Sequence, residues 1–247
     1  MHACLLDKNH TIWYALCSIR VVTVLLIKNH TIKFDFYGIL KTELLMKKLA
    51  QNKKQKIERI LKAALELFQS NGFINTSMDK IAEEAHVTKQ TVYRYFESKE
   101  SLFRAALEAQ RLEGNSNFLK ALTLEDPTQA LETFAVGFIE KHLSEEHLAN
   151  IRLLVSEGPK VPEITRTFYA MGPKRTKTCL ARFFKDRFNL DNAEDEINIF
   201  LAILLSMRMP VLIGLHASPP REKIRRHATK AVNILMKMSN IERTGEI

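Results

Sequence analysis

The sequence predicts an all-α protein: an N-terminal three-helix, helix-turn-helix domain followed by a larger C-terminal helical domain. Three observations carry this. Gly and Pro number only 8 and 7 in 247 residues, while Leu, Ala, Lys and Glu, which favour helices, are common. Apolar residues recur at helical spacing in Gln55–Ser70, in Met78–Ala85 and in Ala130–Ile139. The stretch from Thr76 to Phe103 divides into two short helices around a tight turn and the start of a third. The length suits one large or two small domains, and an apolar fraction of 46% is ample for a core. Three segments follow: an extension over residues 1–45, a helix-turn-helix domain over 46–105 and a helical domain over 106–247.

The extension has a different character. It is rich in β-branched and aromatic residues and contains a repeat, Leu5-Leu6-Asp7-Lys8-Asn9-His10-Thr11-Ile12 returning as Leu25-Leu26-Ile27-Lys28-Asn29-His30-Thr31-Ile32. Thr11 to Ile27 is mostly apolar, at the lower length limit of a membrane span, with Arg20 near its middle. A basic start and a small-residue cleavage site, which a signal peptide needs, are missing. Three readings compete: a membrane anchor, a strand-forming or partner-binding arm, and translated leader DNA outside the native chain. The third is preferred, because Met46-Lys47-Lys48-Leu49 looks like an ordinary chain start.

The first helix is expected over Gln55–Ser70, with Ile57, Ile60, Leu61, Ala64, Leu67 and Phe68 in one stripe and Gly72 as a left-handed C-cap. Thr76 with Asp79 resembles a capping box. Met78, Ile81, Ala82 and Ala85 then share a face, with Glu83 and Glu84 turned away. Thr88 is an N-cap residue. The next helix runs from Lys89 to Phe96, with Val92 and Phe96 directed inward. Lys89, Gln90, Thr91, Tyr93, Arg94 and Tyr95 are left outside. Lys, Gln and Arg can reach base edges, and Thr and Tyr hydroxyls suit phosphates. Ser98 caps a further helix whose first turn holds Lys99. A lysine there opposes the helix dipole, and a phosphate bound at that N-terminus would account for it.

Charge supports a nucleic-acid partner. Residues 47–104 hold twelve Lys/Arg against seven Asp/Glu, so over half of the net +9 falls in under a quarter of the chain. Lys47, Lys48, Lys53 and Lys54 read as a solvated charge run in preference to an arm on the DNA backbone.

Residues Ile57 to Leu107 resemble the N-terminal domain of the TetR/AcrR family of transcriptional regulators. ILKAALELFQSNGF and TSMDKIAEEAHVTKQTVYRYFESKESLF carry the resemblance, with Val-Tyr-x-Tyr-Phe-x-Ser-Lys-Glu-x-Leu-Phe its most specific part. The family often has Gly at the turn position held here by His86. The resemblance, together with side-chain chemistry, implies that Thr76, Thr88, Tyr93, Tyr95 and Lys99 anchor phosphates. Lys89, Gln90 and Arg94 are the candidates for base edges, and Thr91 borders them.

Further on, Asp126-Pro127-Thr128 opens a helix carrying Ala130, Leu131, Phe134, Phe138 and Ile139. Leu148–Ser156 is another, closed by Gly158-Pro159. Pro162 opens a segment through Phe188, interrupted at Gly172-Pro173. Ala193 to Leu215 is almost wholly apolar from Ile197, but Arg208, Pro210 and the acidic Glu194, Asp195 and Glu196 argue against a membrane span. Ser218-Pro219 opens a last helix. A helix apolar nearly all round must be buried on all sides, so the last two helices are expected to pair with a second subunit. The stretch Arg152–Phe184 is similar to the C-terminal domain of AefR-like TetR regulators, which commonly sit near efflux or membrane-transport genes. That implies a ligand-binding and dimerisation domain. Phe134, Phe138, Phe168, Tyr169, Met171, Phe183, Phe184, Phe200, Met207 and Arg208 are the candidate pocket residues, with plain core packing the alternative for each. Arg208 is expected to form an intersubunit or intrachain ion pair, with Glu157, Glu194 or Glu196 as candidate partners, in preference to anchoring an anionic or hydrogen-bonding ligand head group.

No nucleophile elbow, phosphate loop, zinc-protease helix or dinucleotide fingerprint occurs. The chain reads as a non-enzyme with no cofactor and no metal. His142 and His147, five apart and off one helix face, are expected as solvated surface residues. Cys4, Cys17 and Cys179 lack metal-ligand spacing and point to a reducing cytoplasm. The reading is a ligand-responsive homodimeric repressor bound to palindromic double-stranded DNA and released by a small, largely apolar effector. The alternative is a membrane-tethered or protein-recruiting module that uses the extension.

Overall fold

A computed structural model describes residues 12–17, 20–27, 30–113 and 117–239 of the chain. The chain divides into two units, Met1–Glu58 and Arg59–Ile247. In the first, β1 (Ile12–Cys17), β2 (Arg20–Ile27) and β3 (His30–Asp35) form an antiparallel sheet in the order β1-β2-β3. Cys17 opposes Arg20, and Ile27 opposes His30. The β-branched composition of these segments accounts for the strands. The second repeat copy straddles β2 and β3. The first copy, save Ile12, lies outside the described residues, as does Cys4. Among the described residues no helix is long and apolar enough to cross a membrane.

Helix α1 (Phe36–Asn71) starts well before the predicted Gln55. Neither Gly nor Pro interrupts the chain between Gly38 and Gly72, and exposed i,i+4 pairs line the added turns, Glu43–Lys47 at 2.9 Å and Lys54–Glu58 at 3.7 Å. Lys47, Lys48, Lys53 and Lys54 therefore lie on an exposed helix, as the solvated-run reading expects.

In the second unit the end of α1 packs with α2 (Met78–Glu84), α3 (Lys89–Tyr95) and α4 (Lys99–Glu113). Ile60, Ala64 and Phe68 of α1 meet Ile81, Val92, Leu102 and Phe103, all buried. Phe68, Phe73 and Phe103 form an aromatic trio with centroids 5.2–5.6 Å apart. Leu153 and Ile164 of later helices join this cluster, so the body contributes to the core of the head, while a second cluster fills the body itself.

The body follows. A 3-10 turn (Asn117–Thr123) leads to α5 (Pro127–His142), α6 (Glu145–Glu157), α7 (Pro162–Met171) and α8 (Pro173–Phe188). Asp126 caps α5 from the side-chain oxygen, and Gly172-Pro173 separates α7 from α8 as the sequence anticipates. The apolar run does not form one helix. It breaks into α9 (Glu194–Leu205) and the single turn α10 (Arg208–Leu212), before α11 (Arg221–Met238). Pro210 causes the break: its ring conflicts with the carbonyl four residues back, at Ser206, and it offers no N–H. One face of α9 and α11 is buried with α5 through Phe134, Phe200, Ala228 and Val232. Ile199, Ile234 and Met238 on these helices stay exposed in the single chain.

Gly72 closes α1 in the left-handed region at φ +84. A Cβ there would also fall 2.1 Å from Oε1 of Glu157, which reaches over from α6. Gly72→Ala should therefore lower stability by about 1–3 kcal/mol, from strain and from displacement of Glu157 together. Urea unfolding checks this; an unchanged midpoint would mean that the turn adapts without cost.

Candidate DNA-reading face and cavity

The turn between α2 and α3 is built by local hydrogen bonds. Ala85 caps α2, His86 takes φ +53, and Val87 N–H donates to the Ala82 carbonyl at 2.9 Å. His86 thus occupies the left-handed position that Gly often fills, which a non-β-branched residue tolerates. Thr88 caps α3 by accepting from Thr91 N–H, and its hydroxyl lies 2.9 Å from that of Thr91. Val92 is buried beneath the helix and anchors it. Gln90, Tyr93 and Arg94 project outward, exposed. Lys89 is tied to Asp79 of α2 at 2.9 Å, and that carboxylate holds its ammonium above the ordinary lysine range. Arg94 lies over the Tyr95 ring at 5.0 Å and donates to its hydroxyl.

Behind this face, the loop after α1 is clasped from two sides. The Lys99 ammonium donates to the carbonyls of Phe73 (2.7 Å), Thr76 (3.0 Å) and Ile74 (3.3 Å). The Ile74 N–H donates to Oε2 of Glu157 at 2.8 Å. Nearby, Gln69 of α1 donates to Asn150 of α6 at 2.8 Å, and Asn150 donates to Gln110 of α4 at 2.7 Å.

Gln110 and Asn150 also border a cavity of about 740 Å³ walled by α4, the 3-10 turn, α5, α6, α7, α8, α9 and the start of α10. Its apolar surface comes from Leu107, Phe118, Phe138, Phe168, Met171, Leu201 and Leu205, and its polar side includes His142, His147, Thr176 and Arg208. His142 donates from Nδ1 to the Phe138 carbonyl at 2.7 Å, and its ring centroid lies 4.4 Å from that of His147. Burial pushes His142 down to about 4 and His147 down to about 2, with the Arg208 charge adding to both shifts.

Residues 60–106 match the family described as bacterial regulatory proteins, tetR family, and residues 129–238 match the AefR-like transcriptional repressor C-terminal domain. The chain is 31% identical over 112 residues to the HTH-type transcriptional regulator TtgW of Pseudomonas putida, covering 45% of this chain and 81% of TtgW. The chain belongs to the TetR family. It is also 37% identical over 91 residues to the transcriptional repressor NicS of Pseudomonas putida, across 36% of this chain and 42% of NicS. The chain thus spans about two fifths of that relative's length. Among solved structures, the flavonoid-responsive regulator FrrA superposes with a TM-score of 0.59 at 27% identity, over 75% of this chain and 97% of FrrA.

Within this TetR-family fold several sequence expectations change. Thr76 is not an outward anchor: it is 1% exposed, and its hydroxyl donates to the carbonyls of Gly72 (2.7 Å) and Leu67 (3.1 Å). Ser77, one residue later, is the N-cap of α2. Lys99 directs its ammonium to carbonyls, which explains a lysine in a first turn without a phosphate. Of the pocket candidates, Phe138, Phe168, Met171 and Arg208 line the cavity. Phe134, Phe183, Phe184 and Phe200 are buried core instead, Met207 packs against that core, and Tyr169 is 49% exposed. Within the single chain Arg208 pairs with none of its predicted partners and has no ion pair among the described residues. Glu157 instead serves Ile74. His142 and His147 are not on the solvated surface. The chain turns at Leu143-Ser144, so they sit on two helices and meet at the cavity. Among the described residues no cluster of three or more His, Cys, Asp or Glu could hold a metal.

Two outcomes follow. Lys99→Met should cost about 1–2 kcal/mol of stability while leaving the salt dependence of DNA binding unchanged. A slope smaller by about 0.9 would instead show the ammonium on a phosphate. The two histidines, with lowered values when folded, contribute stability that is complete above the ordinary value near 6.5 and declines as the pH falls toward about 4. Between about pH 6.5 and about pH 5.5 the loss should be about 1 kcal/mol per histidine. His142→Gln/His147→Gln should flatten that limb in calorimetry, and an identical pH profile would contradict their burial as neutral rings.

Proposed function

We propose that this protein is a dimeric transcriptional repressor whose α3 reads a palindromic operator and whose cavity takes a small effector that releases the DNA. The observation that carries the reading is the outer face of α3. Gln90, Tyr93 and Arg94 are exposed on a short helix fixed by Thr88 and Val92, and a major groove admits one helix. Lys89, Gln90 and Arg94 read bases, with Thr88, Thr91, Tyr93 and Tyr95 at phosphates. Residues 46–105 form the reading head, and 106–247 sense the effector and dimerise. Exposed Ile199, Ile234 and Met238 supply an apolar face for α9 and α11 to share with a second copy. That dimer would set two heads about 34 Å apart. Repression is favoured by the name of NicS, and a response to aromatic effectors by that of FrrA. The site of action is the cytoplasm.

Coupling follows the shared contacts. Gln69–Asn150–Gln110 joins the head to the cavity wall, so a ligand that rearranges Gln110 or Asn150 also disturbs the seat of α1. Allosteric coupling of about 1–3 kcal/mol requires no more than such a shift.

The test is selection and sequencing of DNA fragments retained by the protein, followed by binding measurements on the recovered site. A palindrome with half-sites one duplex turn apart is expected. Gln90→Ala should cost about 1–3 kcal/mol on that site and relax preference at one position of each half. Retention of DNA without any shared sequence, or an unaltered preference in Gln90→Ala, would refute the assignment.

A further inference from the structure

We infer that the cavity binds an apolar carboxylic acid, its carboxylate seated on Arg208 and its hydrocarbon or aromatic body between Phe118, Phe138, Phe168 and Leu201. This rests on the effector-binding reading above and narrows it to one class of molecule.

Four observations converge. Arg208 lines the cavity, half-buried, with no carboxylate partner among the described residues. A guanidinium removed from water without a partner is costly, and its planar fork fits a carboxylate with two parallel hydrogen bonds. Second, the lining has a single sign of charge. It includes Arg111, Lys120, Lys141, Arg175, Lys177 and Arg208, and no Asp or Glu. Three of the six are answered from outside the lining, Arg111 and Arg175 by Glu108 and Lys141 by Glu146. The remaining field attracts an anion and repels a cation. Third, Nε2 of His147 is buried and has no hydrogen-bond partner. A neutral imidazole protonated there donates to a carboxylate oxygen, and burial keeps that ring neutral. Fourth, phenylalanine and leucine side chains make up much of the wall, and a volume of about 740 Å³ suits a drug-sized organic molecule. An inorganic anion would leave that apolar wall unfilled.

The experiment compares acids with their primary amides, which match in shape and lack the charge. Calorimetric titration of the full chain with 2-naphthoate, 4-phenylbutyrate and decanoate, each against its amide, gives the ratio of affinities. The acid should bind about 10- to 100-fold tighter than its amide in the wild type. In Arg208→Met the ratio should fall to about one, and Arg208→Lys should keep part of it. If Arg208→Met does not fold, Arg208→Lys and His147→Phe must each lower the ratio. Amides that bind as tightly as acids, a ratio unchanged in the variants, or a panel in which no acid binds would overturn the inference. Gel shifts on the recovered DNA separate this from the parent reading. Acid-selective binding without DNA release leaves the inference standing and removes the release mechanism. Release by amide and acid alike does the reverse.

Discussion

The loop that follows α1 carries carbonyls that no helix satisfies, because α1 has ended and α2 has not begun. Lys99 gathers three of them on one ammonium, and Thr76 takes Gly72 from inside. The opposite need, an orphan N–H at Ile74, is met by Glu157. Everything in the head depends on this clasp. It fixes where α2 starts, hence the angle of α3, hence the direction in which Gln90 and Arg94 point. It also gives glycine a second advantage at position 72, besides its positive φ: the carboxylate of Glu157 occupies the space a Cβ would need. The charges in the clasp are structural, and the surplus that faces outward on α3 is smaller than a bare count of lysines suggests.

Glu157 and Asn150 both belong to α6, so one helix touches the head twice. Its outer contact holds the loop, and its inner contact, through Gln69, holds α1. Both side chains are buried polar groups, and each is satisfied only while head and body keep their present relation. Breaking either leaves an unpaired polar group in the interior, which is costly. The interface therefore favours a small number of discrete arrangements over continuous sliding, the property a switch needs. Asn150 also borders the cavity, so the side chain that secures the head is one that a bound molecule can touch.

The head was legible in the sequence because its determinants are local. The buried set Met78, Ile81, Ala82 and Ala85 follows from helical period, the Thr88 cap from chemistry, and the left-handed His86 from the family resemblance. At the start of α2 the slip was a single residue, Ser77 for Thr76, between two hydroxyls that can both cap a helix. Burial of Thr76 beneath α1 decided between them, and that is a tertiary fact. Lys99 shows the same limit: its place in a first turn was plain, but the carbonyls it serves lie more than twenty residues away. The cavity was less legible. Phenylalanines at helical spacing mark an inward face without telling whether the interior beyond is filled, so Phe134 and Phe184 could not be told from Phe138. His142 and His147 misled because their separation was measured along one helix, whereas a turn at Leu143-Ser144 lets the rings meet.

The apolar run from Ile197 to Leu215 links these points. As a continuous helix it would need partners on all sides and would carry Arg208 as a defect. Pro210 prevents that: α9 stops at Leu205, and the chain turns before resuming as α10. The break leaves the buried residues Ile197, Phe200 and Leu204 in the core, while Leu201 and Leu205 help to wall the cavity. Arg208 comes just after the break and reaches the same wall from a new direction. A residue that looks misplaced in the linear pattern is thereby delivered to the lining of the cavity. Sequence period alone could not assign it, because the period ends at the proline.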